Sequence, residues 1–158
     1  MLNKADFWND RASEVSNSVN TRVISMKNLS VLTNYVRSAY GKNTRVIITE
    51  VGFNYLSGEK VQAAALALGY YIAACDPMVD AFIILQYEKN TGSTLDFGIR
   101  DREAYDIYCN MDTSKGLSSV RTLLAAQAGA GWQSYVPGYS AGKLASLYRI
   151  GSDPFMNR

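Results

Sequence analysis

Two short apolar runs on either side of an alanine-rich segment constrain the fold of this chain more than any other feature. Residues 46–48 and 81–85 are rich in the β-branched and aromatic side chains typical of strands. Between these runs, residues 59–75 are rich in alanine and leucine, which are strong helix formers. A strand, a helix and a strand in this order predict a right-handed βαβ unit with parallel strands. The predicted fold class is therefore α/β.

The first run ends in a carboxylate, and this position makes Glu50 the leading candidate for a functional residue. Because the run has no polar alternation, it predicts a strand that is covered on both faces. Functional side chains of parallel α/β folds lie beyond the carboxyl ends of the strands. If the two strands are neighbours, Glu50 shares its edge of the sheet with Gln86, Tyr87 and Glu88.

Helices are predicted before and after this unit. Residues 26–40 carry apolar side chains at helical spacing, with Ser25 as the N-cap and Gly41 just beyond the end. Further helices are predicted at residues 103–110 and 117–128.

The two ends of the chain show no clear period. An N-terminal loop is predicted to contain the aromatic pair Phe7 and Trp8, and residues 133–158 are predicted to form a weakly ordered tail.

The composition excludes several classes of function. With 16 basic and 14 acidic residues, a net charge of +2 and no basic run, we expect no nucleic-acid partner. The absence of histidine excludes Ser-His-Asp and Cys-His nucleophile systems in this chain and weakens a zinc site. Cys75 and Cys109 lack metal-site spacing and are expected to be two buried thiols, with a disulfide as the alternative. No apolar stretch is long enough to cross a bilayer, so we expect no membrane partner. We also expect no metal and no cofactor.

A family resemblance rests on four segments in a fixed order. Residues 48–54, Ile-Thr-Glu-Val-Gly-Phe-Asn, resemble the strand-seven motif of retaining glycoside hydrolases of the large cellulase-like clan. The chain is also similar, over roughly residues 7–132, to a bacterial family of domains of unknown function within that barrel group. The matching segments are Asn-Leu-Ser-Val-Leu at 28–32, Glu-Val-Gly-Phe-Asn at 50–54, Gln-Ala-Ala at 62–64 and Asp-Ala-Phe-Ile at 80–83.

This resemblance implies the C-terminal part of a (β/α)8 TIM barrel, with strands seven and eight and their flanking helices. The chain would be one incomplete domain over residues 1–158. The implied function is retaining hydrolysis of a glycosidic bond in an oligosaccharide or polysaccharide, with Glu50 as the nucleophile. The family's acid/base is a glutamate that follows an asparagine at the end of strand four. No Asn-Glu pair occurs in this sequence, so the missing N-terminal part of the barrel is the expected partner that supplies it.

Four residues join Glu50 as candidates for binding the carbohydrate substrate: Asn54, Tyr87, Gln86 and Glu88. Asn54 and Tyr87 could equally orient Glu50, and Gln86 or Glu88 could face solvent. Glu50 itself could be an ion-paired structural carboxylate. Two other functions therefore stay open, a non-catalytic carbohydrate-binding barrel and a small structural α/β domain.

Several other polar or aromatic residues have structural interpretations. Asp96, Arg100 and Asp101 are expected to be solvated or paired with one another. Gln62 is expected to cap its helix, and Trp132 to pack on the outside of the barrel.

Overall fold

The computed structural model describes residues 14–90, 92 and 94–140. Its helices and strands are α1 (Leu29–Tyr40), β1 (Val46–Val51), α2 (Glu59–Cys75), β2 (Val79–Ile84), α3 (Glu103–Asn110) and α4 (Ser114–Ala128). Short 3-10 turns lie at Met26–Asn28, Tyr55–Ser57 and Trp132–Tyr135. The predicted loop with Phe7 and Trp8, and the part of the predicted tail from residue 141, lie outside the described residues.

The predicted βαβ unit is confirmed, because β1 and β2 pair in parallel. The Val46 amide donates to the Met78 carbonyl at 2.8 Å at one end of the ladder, and the Leu85 amide donates to the Val51 carbonyl at 2.8 Å at the other. Both strands therefore end at the same edge of the sheet, the edge that the sequence assigned to the functional residues.

Helix α2 is the centre of the fold. Every residue from Gln62 to Ala74 is buried, and the helix packs against β2, α3 and α4. The small alanine side chains let these neighbours approach closely, while Tyr71 stacks on Trp132 with ring centroids 5.7 Å apart. Trp132 is therefore a core residue. It does not lie on the outside of a barrel.

The segment before α1 is organised by one buried amide. The Asn28 Nδ2 donates to the Ser16 carbonyl at 2.8 Å and to the Val23 carbonyl at 2.9 Å. Its Oδ1 accepts the Ser25 amide at 2.8 Å. These bonds explain why asparagine stands at the head of the first family segment, since its side chain replaces regular backbone pairing there.

The predicted barrel part, with strands seven and eight, is wrong for the described residues. They form a small α/β unit whose single sheet has two strands, so each strand has a free edge. After β2, α3 and α4 both pack against α2, and no third strand follows among these residues. The prediction failed because a βαβ unit is common to many α/β folds and does not by itself define a closed barrel.

The prediction that both faces of β1 are covered is also wrong. Val46 and Ile48 pack towards the core, but Ile47 on the other face is 58% exposed. On β2, the neighbouring strand, Leu85 just past its end is 44% exposed. The sheet therefore exposes Ile47 and Leu85 on a face that nothing covers among the described residues.

This uncovered face predicts self-association. Exposed apolar patches next to unpaired strand edges favour contacts between molecules. We expect the purified chain to elute as oligomers or aggregates in size-exclusion chromatography with light scattering, and Ile47→Lys to shift it towards monomer. A monodisperse monomer with cooperative thermal unfolding would contradict this expectation.

Candidate functional site

Glu50 lies near the carboxyl end of β1 on the uncovered face of the sheet. The pairing of β1 with β2 is irregular between Ile48 and Val51, and both of these residues face the core. Glu50 between them is exposed, and a side chain at Gly52, just past the strand, would contact the exposed Leu85. The Glu50 side chain is exposed, and its carboxylate has no hydrogen-bond or ion-pair partner among the described residues. The strand thus fixes its backbone and leaves its oxygen atoms available.

Asn54 connects the segment after β1 to the segment after β2. Its Oδ1 accepts the Leu56 amide at 3.1 Å and the Asp96 amide at 3.2 Å. The Tyr55 amide adds a bond to the Asp96 carbonyl at 2.7 Å. The Asn54 oxygen is therefore used within the protein, which favours the interpretation that this residue orients the site.

Gln62 makes a second connection between the same segments. Its Nε2 donates to the Phe53 carbonyl at 2.9 Å and to the Gly98 carbonyl at 3.1 Å. The side chain is fully buried and α2 has no side-chain cap, so the expectation that Gln62 caps its helix is wrong. Gly98 is required here because a methyl group at this position would lie 2.1 Å from the Glu88 carbonyl oxygen.

The third connection is a buried ion pair between Asp96 and Arg102. The Asp96 Oδ2 and the Arg102 Nη2 are 2.5 Å apart, and Arg102 Nη1 also donates to the Gly98 carbonyl at 2.6 Å. The guanidinium lies over the Tyr55 ring, 3.6 Å from its centroid. The hydrogen bond from Arg102 holds the pKa of Asp96 at about 2, so this carboxyl stays ionised at neutral pH.

Asp96, Arg100 and Asp101, which were expected to be solvated or paired with one another, therefore do not form one group. Asp96 pairs with Arg102, whereas Arg100 donates to Glu88 with Nη1–Oε1 at 2.7 Å and lies 3.8 Å from Asp101. Glu88 is engaged in this surface pair. Because its carboxylate neutralises Arg100, Glu88 is a weaker candidate for sugar binding than its position in the sequence indicated.

Tyr87 and Gln86 follow β2 and are both partly exposed. The Tyr87 carbonyl accepts the amides of Ile99 at 3.0 Å and Arg100 at 2.9 Å, and its ring packs edge-on against Tyr105. No hydrogen bond joins the Tyr87 or Gln86 side chain to Glu50 among the described residues.

Two apolar residues near Glu50 were missed by the sequence analysis. A methyl group on Gly52 would lie 3.1 Å from Leu85 Cδ2 and 3.1 Å from Phe97 Cδ1. These side chains therefore form a surface, called here the Leu85–Phe97 surface, on the same side of β1 as Glu50. The signal available in the sequence was the glycine two residues after the carboxylate, which leaves room for such an approach.

An open cleft of about 590 Å³ lies elsewhere, beside the first turns of α2 and α3. Its lining residues are Glu59, Asp101, Arg102, Glu103, Tyr105 and Asp106. None of the candidates predicted from the sequence lines it, and one of its carboxylates, Glu59, accepts the Glu103 amide at 2.9 Å and so caps α3.

The described residues contain no group of three or more histidine, cysteine or acidic side chains that could hold a metal ion. Both cysteines are free thiols, as predicted, but they are only half-buried, whereas the prediction had them buried. None of the described helices has the length and apolar character needed to cross a membrane.

The fold and the site together define a small α/β domain with a carboxylate at the carboxyl end of parallel strands. The chain belongs to the family of unknown function DUF5722, which matches residues 1–135. No curated protein and no solved structure matches it. The predicted membership of a family of unknown function is confirmed in these terms.

Proposed function

We propose that this chain carries the nucleophilic carboxylate, Glu50, of a retaining glycosidase. In such a reaction a carboxylate oxygen attacks the anomeric carbon and the bond to the leaving group breaks, which gives a covalent glycosyl ester. The substrate is an oligosaccharide or polysaccharide, and no cofactor takes part in this step.

The observation that carries the proposal is that Glu50 lacks the arginine partner that Asp96 and Glu88 have at this end of the sheet. Asp96 is bound to Arg102, and Glu88 to Arg100. Glu50 has no such partner among the described residues although its backbone belongs to β1. A carboxylate whose charge is not neutralised by a neighbour is suited to attack an electron-poor carbon, whereas a structural carboxylate is normally paired.

The reaction needs a second carboxyl group about 5 Å from the nucleophile to protonate the leaving oxygen. By the motif resemblance, this acid belongs to polypeptide other than the residues around Glu50. The uncovered side of the sheet near Glu50 is a suitable surface for such a partner, since it exposes Ile47 and Leu85 and has free strand edges among the described residues.

An activated substrate tests the proposal without the missing acid. Dinitrophenolate leaves a sugar without being protonated, so Glu50 alone should displace it once. We expect one equivalent of dinitrophenolate per chain from a dinitrophenyl glycoside of matching configuration, tried in the gluco, galacto, manno and xylo series. Glu50→Gln should release none, while Glu88→Gln, which also removes one carboxylate, should release the full equivalent.

A binding function without catalysis is the second candidate. It is favoured by the absence of an Asn-Glu pair in the sequence, which leaves this chain without the acid that the motif requires. In that case Glu50 accepts hydrogen bonds from sugar hydroxyl groups. Sugar binding with no release of dinitrophenolate from any of the glycosides would favour this second function over the first.

A further inference from the structure

We propose that Phe97 is the aromatic platform on which a sugar ring stacks beside Glu50, and that Gly52 keeps this platform accessible. The proposal rests on the carbohydrate function proposed above and names the surface that binds the sugar. It is carried by the positions of Gly52, Leu85 and Phe97 relative to Glu50.

The first step is the geometry of the strand. Val51 is buried, whereas Glu50 is exposed and a side chain at Gly52 would contact the exposed Leu85, so both positions lie away from the core. Positions two residues apart on a strand are separated by about 7 Å. The Phe97 ring lies 3.1 Å from the place that a Gly52 side chain would occupy, so it lies beside the strand end that bears the carboxylate.

The second step is the rigidity of the segment that carries Phe97. Both neighbours of Phe97 are held by side chains from three places: the segment after β1, helix α2 and the residue just before α3. The Asp96 amide donates to Asn54, and the Gly98 carbonyl accepts from Gln62 and Arg102. A ring whose backbone is fixed on both sides loses little freedom when a ligand binds, which favours affinity.

The third step is the chemistry of the surface. An aromatic ring contacts the apolar face of a pyranose, and a nearby carboxylate accepts its hydroxyl hydrogens. Phe97 is half-buried and Leu85 is 44% exposed, so part of the Leu85–Phe97 surface is open to solvent. The paired carboxylates Glu88 and Asp96 do not offer this combination. Glu88 is bound to Arg100, and the oxygen atoms of Asp96 are bound to Arg102 and to the amides of Asn90 and Gly98.

The test is a set of affinities for four named probes: cellotetraose, xylotetraose, mannotetraose and laminaritetraose, measured by titration calorimetry. We expect the unmodified chain to bind at least one of them. Phe97→Leu keeps an apolar side chain but removes the ring, and should raise Kd by roughly tenfold. Phe97→Tyr keeps the ring and should leave Kd within about threefold.

Two further variants separate binding from folding. Phe53→Leu is the matched control, because the Phe53 ring lies 3.2 Å from the position of a Gly69 side chain and so faces α2. It should lower the melting temperature and leave Kd unchanged. Gly52→Ala keeps the Phe97 ring but fills the space beside it, and should raise Kd even if Phe97→Leu folds poorly.

The outcomes distinguish this inference from the proposed function. If the unmodified chain binds a probe and both Phe97→Leu and Gly52→Ala bind it equally well, the platform is wrong and the role of Glu50 is untouched. If the unmodified chain binds none of the probes and releases no dinitrophenolate, the proposed function and the platform are both overturned.

Discussion

Glu50→Gln is expected to abolish turnover by a preparation in which this chain is joined to the polypeptide that supplies the acid. Glutamine keeps the shape and most of the hydrogen-bonding capacity of glutamate, but it removes the charge and the nucleophilic oxygen. The rate should therefore fall by several orders of magnitude, whereas Kd for the intact sugar should change far less. The measurement is a pair of values, kcat with an aryl glycoside and Kd with an unreactive oligosaccharide.

The control for this prediction is Glu88→Gln, which makes the same chemical change beside the other strand. Because Glu88 is paired with Arg100 on the surface, the variant should keep most of the turnover. Equal rates for the unmodified protein and Glu50→Gln would show that Glu50 is not the nucleophile.

Arg102→Leu is expected to give the largest loss of stability among substitutions at this end of the sheet. The side chains of Arg102 and Asp96 are 7% and 10% exposed, so removing the guanidinium leaves a buried carboxylate without its partner. Such a change costs about 3–5 kcal/mol, and a whole domain is stable by about 5–15 kcal/mol. Urea unfolding should show a much lower midpoint, or no folded protein.

Arg100→Leu is the matched control because it removes the same group from a neighbouring ion pair. The side chains of Arg100 and Glu88 are 50% and 63% exposed, so the free energy of unfolding should fall by less than about 1 kcal/mol. Similar losses for the two arginine variants would contradict the conclusion that the Asp96–Arg102 pair is the buried connection between the loops.

The local structure was predictable because its signals are local. The range of α2 follows from an alanine-rich run that starts after Gly58 and ends before Asp76-Pro77, and the parallel pairing of β1 and β2 follows from that helix between them. The helix predicted at residues 117–128 also has a local signal, since the Thr113 side chain accepts the Gly116 amide at 3.0 Å and caps the start of α4.

The arrangement around the site was not predictable because it depends on pairs that are distant in sequence. Nothing local distinguishes Arg102, which binds Asp96, from Arg100, which binds Glu88. Likewise, the sequence predicts that Asn54 binds the substrate and that Gln62 caps a helix. Only the structure shows their hydrogen bonds to residues 96 and 98. The barrel assignment failed for a related reason, since two strands and a helix do not determine how many strands accompany them.

The measurement that tests the central claim most directly is the position of the sugar after reaction with a dinitrophenyl glycoside. The chain lacks the base that would hydrolyse the ester, so the adduct should persist and can be located by peptide mass spectrometry. The claim predicts one glycosyl group, attached to Glu50, with none on Glu88 or Asp101. A sugar attached to another carboxylate, or a chain that remains unmodified while dinitrophenolate is released, would contradict it.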